Sequence, residues 1–366
     1  MMFVVLALIV ALIAGVVVFL RLPMFGKRPS GERLKRIEKS VNYKNGAFQN
    51  LSPTPNFAEN VGFFTVFRSM VLKKRIDKKP LSIIPTEKTD LSTLDAKSDV
   101  VVWFGHSSCF VQLEGKKILI DPVFGGNASP LPFMLKAFNG SNIYSCDDIP
   151  ETDLLVITHD HWDHLDLKTI RQLKTKIKHV VCPLGNGAHL EHWGIDKNII
   201  FEQDWNDQFE LCNNLVVHTL PSRHFSGRGP KRNKALWASF VLQTPNLKIF
   251  ISGDGGYDKH FAEIGEKFGG FDLAILENGQ YNVFWRYIHL LPDDVVQAAI
   301  DLKAKRVLPV HHSKFALSNH PWNEPLTKLA ENSVHKNIQI ITPKIGEMVN
   351  LNDPNQEFLR WWEDVK

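Results

Sequence analysis

Between Asp153 and Asp166 the chain reads DLLVITHDHWDHLD, which puts His159, Asp160, His161, Asp163 and His164 within six residues. Imidazole and carboxylate are ligands that suit zinc, and also iron or manganese. The run follows Leu154–Ile157, a short apolar segment that reads as a buried strand. On extended backbone, residues two apart point to the same side, so His159 and His161 can face one metal together. A turn into helix near Trp162 would redirect Asp163 and His164 towards a neighbouring position, so HxHxDH can supply two ligands to each of two metals. A lone histidine is more often structural than a ligand. Five such groups at a strand end are hard to explain as packing, because each polar group buried without a partner costs about 1–3 kcal/mol.

A two-metal site needs further ligands, and the chain offers them in the same setting. His224 follows the apolar run Leu215–Leu220, Asp254 follows Lys248–Ile251, and His311 follows Arg306–Val310, with His312 beside it as an alternative. One strand edge is thus expected to gather all of them. Gly253, Gly255 and Gly256 allow the backbone to approach closely around Asp254.

The elements that must position these groups can be read coarsely. Asp99–Phe104, Cys109–Leu113, Lys117–Ile120, Val180–Cys182, Ala238–Gln243, Leu273–Leu276 and Gln339–Ile341 also read as strands. Leu167–Thr175, Asp258–Lys267 and Pro292–Leu302 read as helices. A strand-rich set followed by a similar set predicts two sheets with helices outside. The four cysteines form no CxxC pair, which excludes an all-cysteine zinc site or a disulfide scaffold. With 43 Lys+Arg against 39 Asp+Glu, the charge balance gives no argument for nucleic acid.

Met1–Leu20 carries no charge, and Arg21, Lys27, Arg28, Arg33, Lys35, Arg36 and Lys39 follow it. Twenty apolar residues at about 1.5 Å each can cross roughly 30 Å of hydrocarbon. The competing reading is a cleaved signal peptide, but no basic residue precedes the run and it exceeds the usual signal core. We expect a single-pass anchor over residues 1–20 with the body on the cytoplasmic side, as the positive-inside rule directs. Residues 21–97 then form a linker and N-terminal extension, 98–350 the hydrolase domain and 351–366 a C-terminal tail. Val61–Arg75 reads as a helix with Phe63, Phe64, Val66, Phe67, Met70 and Val71 apolar and Arg68, Lys73, Lys74 and Arg75 basic. It is expected to pack on the domain, a membrane-surface helix being the alternative.

The HDHWDHLD run, the later SRHFSGRG, SGDGGY and HHSKFAL segments, and their order resemble the metallo-β-lactamase superfamily. Within it they are most similar to the N-acyl-phosphatidylethanolamine-hydrolysing phospholipase D branch, over about residues 98–346. The resemblance implies an α/β fold, a four-layer αββα sandwich with a dinuclear zinc centre at one edge. It implies His159, His161 and His224 on the first Zn2+, Asp163, His164 and His311 on the second, and Asp254 between them. Asp121, in ILIDPVF, would be structural or would support the ligands. Gly279, Tyr281 and His289 match the branch's Gly-x-Tyr and later His-x-x-Pro, so that His289 would line the substrate pocket. The chain departs from the branch around Gln280 and after His311, where Lys314 could meet substrate charge.

The expected chemistry is hydrolysis by a hydroxide held between two metals. Asp163 would orient the water and His289 would donate a proton or bind substrate. The leading substrate is a lipid phosphodiester, with Phe284, Trp285 and Tyr287 as an acyl-binding wall. A lactonase or other carboxylic-ester hydrolase is the alternative, and a non-catalytic, membrane-tethered metal-binding protein is a third reading.

Overall fold

Two seven-stranded sheets stack face to face in the computed structural model, which describes residues 1–72, 77–212 and 214–366. Helix α1 (Met2–Phe19) comes first and buries none of its residues. It is long and apolar enough to cross a membrane. Helix α2 (Gly31–Glu38), the hairpin β1 (Tyr43–Lys44) and β2 (Ala47–Phe48), and α3 (Phe63–Leu72) follow. The extension wraps the body, because Ile37 and Phe48 are buried in the core between the sheets.

The first half contributes β3 (Val100–Trp103), β4 (Cys109–Leu113), β5 (Lys116–Ile120), β6 (Leu154–Val156), α4 (Leu167–Leu173), β7 (Val180–Pro183), α5 (Gly187–His192) and β8 (Ile200–Gln203). The second contributes β9 (Gln208–Cys212), β10 (Leu215–Leu220), β11 (Ser239–Gln243), β12 (Lys248–Ile251), α6 (His260–Phe268), β13 (Leu273–Glu277), α7 (Pro292–Asp301), β14 (Arg306–Val310), α8 (Glu324–Asn332) and β15 (Gln339–Ile340). A last strand, β16 (Met348–Asn350), returns to the first sheet and pairs with β3. The strand orders are β16-β3-β4-β5-β6-β7-β8 and β15-β14-β13-β12-β11-β10-β9.

The two halves follow one plan. Strands β3 to β5 and β9 to β12 are antiparallel, and β5 to β8 and β12 to β15 are parallel. Parallel neighbours need crossovers, and helices are the usual ones. Central strands such as LLV in β6 and the LAIL stretch of β13 are apolar because both faces are covered. Val101, Val111, Ile118 and Val156 meet Val217, Phe240, Ile249 and Leu308 between the sheets. Ile170 and Leu190 cover the outer face of one sheet, and Phe261, Val295 and Leu329 that of the other. The layers are therefore helix, sheet, sheet, helix.

The sequence reading missed α2 and the β1–β2 hairpin in what it took as linker, and also β8, β9, β16, α5 and α8. Strand β9 is an edge strand with alternating half-exposed residues, and the others are short or carry too many polar residues to stand out by periodicity. The helix expected over Val61–Arg75 is observed over Phe63–Leu72, and Lys73, Lys74 and Arg75 lie outside the described residues. The helix packs on the domain as expected, but along a narrow stripe. Val66 is buried, but Phe63, Phe64 and Phe67 are 66%, 83% and 53% exposed. Periodicity identifies an apolar face without saying what covers it. At the other end, Trp361 and Trp362 are buried in the core between the sheets.

Candidate metal centre

The polar groups singled out in the sequence meet along one edge of the sandwich. The loop after β6 carries His159–His164, while His224, Asp254 and His311 follow β10, β12 and β14. In one group, His159, His161, His224 and Asp254 place a ligand atom each within 4.8 Å of all the others. His161 Nδ1 stands 2.9 Å from His159 Nε2 and 3.2 Å from His224 Nε2. In a second group, Asp163, His164 and His311 converge in the same way with His106. Asp254 reaches both: its Oδ2 is 3.8 Å from His159 Nε2 and 3.1 Å from His311 Nε2, and its Oδ1 is 3.2 Å from His164 Nε2.

Three of the rings are turned by a partner on the outer nitrogen. His224 Nδ1 donates to the Ile288 carbonyl at 2.8 Å, which leaves Nε2 with its lone pair inward. His164 Nδ1 lies 2.7 Å from Asp121 Oδ2, and Asp121 also accepts from the backbone and hydroxyl of Thr158. Asp121 thus braces the strand end from beneath. His311 Nδ1 is 3.2 Å from the Gly279 carbonyl. A Cβ on Gly279 would lie 2.1 Å from the His311 carbonyl, so only glycine lets these two strand ends approach.

The donor set fits divalent ions. Burial pushes His161 down to about 4 and His159 and His224 well below their ordinary value, so all three are neutral ligands. Burial works against the charges of Asp163 and Asp254, but the histidines around them together outweigh it and hold them ionised: His164 and His311 beside both, and His106 beside Asp163. In turn, burial pulls His164 down, yet Asp254 and Asp163 raise it to about 10, and His311 is raised in the same way. Two buried carboxylates therefore demand positive charge, and metal ions would take the place of protons here. His164 Nε2 and Asp254 Oδ1 are buried with no hydrogen-bond partner, which is the state expected of atoms aimed at a cation.

Sequence reasoning passed over His106 and Glu277. His106 follows β3 as the other ligands follow their strands, but Gly105–Ser108 reads as a turn. Its Nε2 is 2.8 Å from Asp163 Oδ2, so it holds that carboxylate in place. Glu277 ends β13 and reads as the end of an apolar run. Its Oε2 lies 2.8 Å from His289 Nδ1, and its Oε1 accepts from Gly255 and Leu290.

Other expected residues lie elsewhere. Asp160 turns away from the ligand groups, accepting from Gly227 N and facing His189. His312 packs on Trp103 with its nitrogens on Ser313 and the Pro309 carbonyl, outside both ligand groups. Lys314 does not meet the cleft. It is buried and donates to the carbonyls of Phe104 and Val123 at 3.1 and 3.0 Å. Tyr281 donates to Glu324 behind the site. Gln280 lines the cleft and ties its amide to the carbonyls of His311 and Phe315.

A cleft of about 680 Å³ opens over the ligand groups, with His289 on its wall. Phe57, Phe63, Phe225, Trp285 and Ile288 make it largely apolar. Of the aromatic wall expected from the sequence, only Trp285 is in place. Phe284 is not part of the lining, and Tyr287 is held outside by Glu59 and Arg223.

Arg228 clamps the ligand loop from behind. Its guanidinium donates to the carbonyls of Asp160 and Leu165 at 2.8 and 2.7 Å, and to the Met24 carbonyl at 2.9 and 3.0 Å. It lies 3.9 Å from the Trp162 ring, which also meets Phe25 edge-on. The foot of α1 is thereby fastened to the loop that bears His161 and Asp163.

The Beta-lactamase superfamily domain profile matches residues 116–312, more than half of the chain. The chain belongs to the metallo-β-lactamase superfamily. It is 34% identical over 329 residues to an uncharacterised protein of Mycobacterium tuberculosis, covering 89% of this chain and 88% of that one. It is 30% identical over 337 residues to an N-acyl-phosphatidylethanolamine-hydrolyzing phospholipase D of Caenorhabditis elegans, covering 84% and 93%. Among solved structures, a metallo hydrolase of Ignicoccus hospitalis shares the fold with a TM-score of 0.53 at 20% identity, covering 72% of this chain and all of that one. This superfamily member is a metal-dependent hydrolase with a candidate dinuclear site.

Proposed function

We propose that this hydrolase is a membrane-tethered phosphodiesterase acting on lipids of the N-acyl-phosphatidylethanolamine kind, in phospholipase D fashion, with two zinc ions. The observation that carries the reading is the pair of ligand groups sharing Asp254 at the floor of a wide, aromatic cleft. In this reading His159, His161 and His224 would hold one ion and Asp163, His164 and His311 the other, with Asp254 within reach of both. Bound ions supply Lewis acidity, which brings water towards ionisation near neutral pH and offsets charge on the phosphoryl oxygens. The chain's own groups do the rest. His106 fixes Asp163, which orients the attacking water. Glu277 accepts a hydrogen bond from His289 Nδ1–H and sets the ring; the imidazolium form would then give its Nε2 proton to the leaving oxygen as the phosphorus–oxygen bond breaks, leaving a neutral ring protonated on Nδ1.

The tether is α1, with the body on the cytoplasmic side. Arg33 and Arg36 are taken up by Glu191, Glu202 and the Glu202 carbonyl, while Arg21, Lys27, Arg28, Lys35 and Lys39 stay exposed next to the apolar helix. The exposed Phe63, Phe64 and Phe67 near the cleft add an apolar surface for lipid. Purified protein is expected to carry about two zinc per chain and to hydrolyse bis-p-nitrophenyl phosphate and N-acyl phosphatidylethanolamine. Turnover confined to a lactone panel would overturn the phosphodiesterase reading. A reporter fused after Lys39 that is active only outside the cell would reverse the orientation.

A further inference from the structure

A second hollow, of about 360 Å³, opens at the foot of α1. It shares only Gly227 with the lining of the cleft, and Asp160 faces it while His161 and Asp163 face the cleft. Four cations border it: Arg28, Arg228, Lys231 and Lys234. Its one carboxylate, Asp160, is already engaged by Gly227 N and His189. Arg228 spends its donors on backbone carbonyls, and Lys234 rests on the Gly46 carbonyl. Arg28 and Lys231 have no hydrogen-bond or ion-pair partner among the described residues.

The hollow is built in advance. Trp193 Nε1 donates to the Pro23 carbonyl at 2.8 Å, and Lys27 N donates to His189 Nδ1 at 3.1 Å. Gly26 has φ +70°, and a Cβ there would lie 1.9 Å from His189 Nδ1, so the strap over the hollow needs a glycine at this point. Leu20, at the end of α1, lines the hollow together with Phe25, Pro29 and Pro230. The wall thus offers both apolar and cationic side chains, as the junction of an acyl chain with a phosphate requires.

We propose that this hollow binds the phosphate of an anionic phospholipid from the bilayer that α1 enters. The inference rests on the anchor reading above. If α1 spans, Leu20 marks the hydrocarbon edge and the hollow lies at the depth of the lipid phosphates. A zwitterionic head would bring its own ammonium against the cations, so the site selects lipids of net negative head.

The test uses the full-length, metal-loaded protein in neutral detergent with equal phosphatidylglycerol and phosphatidylcholine, and reads bound lipid by native mass spectrometry. One phosphatidylglycerol per chain is expected, preferred at least about tenfold over phosphatidylcholine. The triple variant Arg28→Gln, Lys231→Gln, Lys234→Gln should lose that preference with its melting temperature and metal content unchanged. Trp285→Ala, which alters the cleft, should keep it, and millimolar inorganic phosphate should not displace the lipid. Equal retention of the two lipids, a triple variant that still prefers phosphatidylglycerol, displacement by free phosphate, or loss of the lipid in Trp285→Ala would each overturn the site. Flotation with pure phosphatidylcholine vesicles examines the anchor separately. Protein that fails to float refutes the anchor and the site with it, whereas protein that floats without choosing between the lipids refutes the site alone.

Discussion

The two halves of the molecule follow the same strand plan but furnish the metal centre differently. The first sheet gives His159, His161, Asp163 and His164 from a single loop, with His106 behind them. The second gives His224, Asp254 and His311, one from each of three strand ends. Ligands on separate strands are each fixed by their own sheet position. Ligands on one loop move together, and that loop is held from outside by Asp121, by Arg228 and by the foot of α1. The scattered set is rigid by construction, and the clustered set is rigid by bracing.

That contrast can be broken at several points. The largest effect is expected at Asp254, where the halves meet. Asp254→Asn should lower turnover more than about 1,000-fold and reduce metal content, read by kinetics and elemental analysis on one sample; an active, fully loaded variant would remove its shared role. His289→Asn should cut kcat about 100-fold and leave metal content intact, with the smaller loss on substrates whose leaving group needs no proton. If metal is lost instead, His289 belongs to the ligand framework.

The bracing is sharpened by Asp121→Asn and Arg228→Gln. Each should weaken metal retention by about 10- to 100-fold, measured as the chelator concentration that halves activity. Their effects should exceed that of His312→Gln, which touches neither ligand group. Equal sensitivity in all three would mean that bracing is not what holds the loop.

The smallest effect concerns Lys314, which follows β14 yet donates to Phe104 and Val123 of the first half. Burial lowers its pKa to about 7, against an ordinary 10.5. Between these values the unfolded chain keeps a proton that the folded chain has released, so stability should rise with pH. Below pH 7 both forms are protonated and the cost of the buried charge stays at its full size. Relative to Lys314→Met, the native protein should gain up to about 1.4 kcal/mol per pH unit from pH 7 towards 10 in urea unfolding. A constant gap would show that the ammonium stays charged.

Much of this centre is legible in the sequence, for a physical reason. A buried strand must be apolar, so polar groups that could bind a metal stand out when they follow one, as at Ile157, Leu220, Ile251 and Val310. The rule applied equally to His106 after Trp103, but glycine and serine around it read as a turn. Glu277 was hidden because it closes an apolar strand as its last residue. What periodicity could not supply was the environment: the open aromatic face of α3, the burial of Lys314, and the turning of Asp160 away from the ligands all depend on neighbours distant in sequence.

The pairing of β16 with β3 sets the order in which this molecule can be completed. During synthesis on the ribosome, β3 emerges long before β16, so its outer side stays unpaired until the whole second sheet has been made. An exposed flank of this kind invites pairing with other chains. Chains that stop short of β16 would therefore present the bare side of β3, and they should self-associate more readily than chains that carry it.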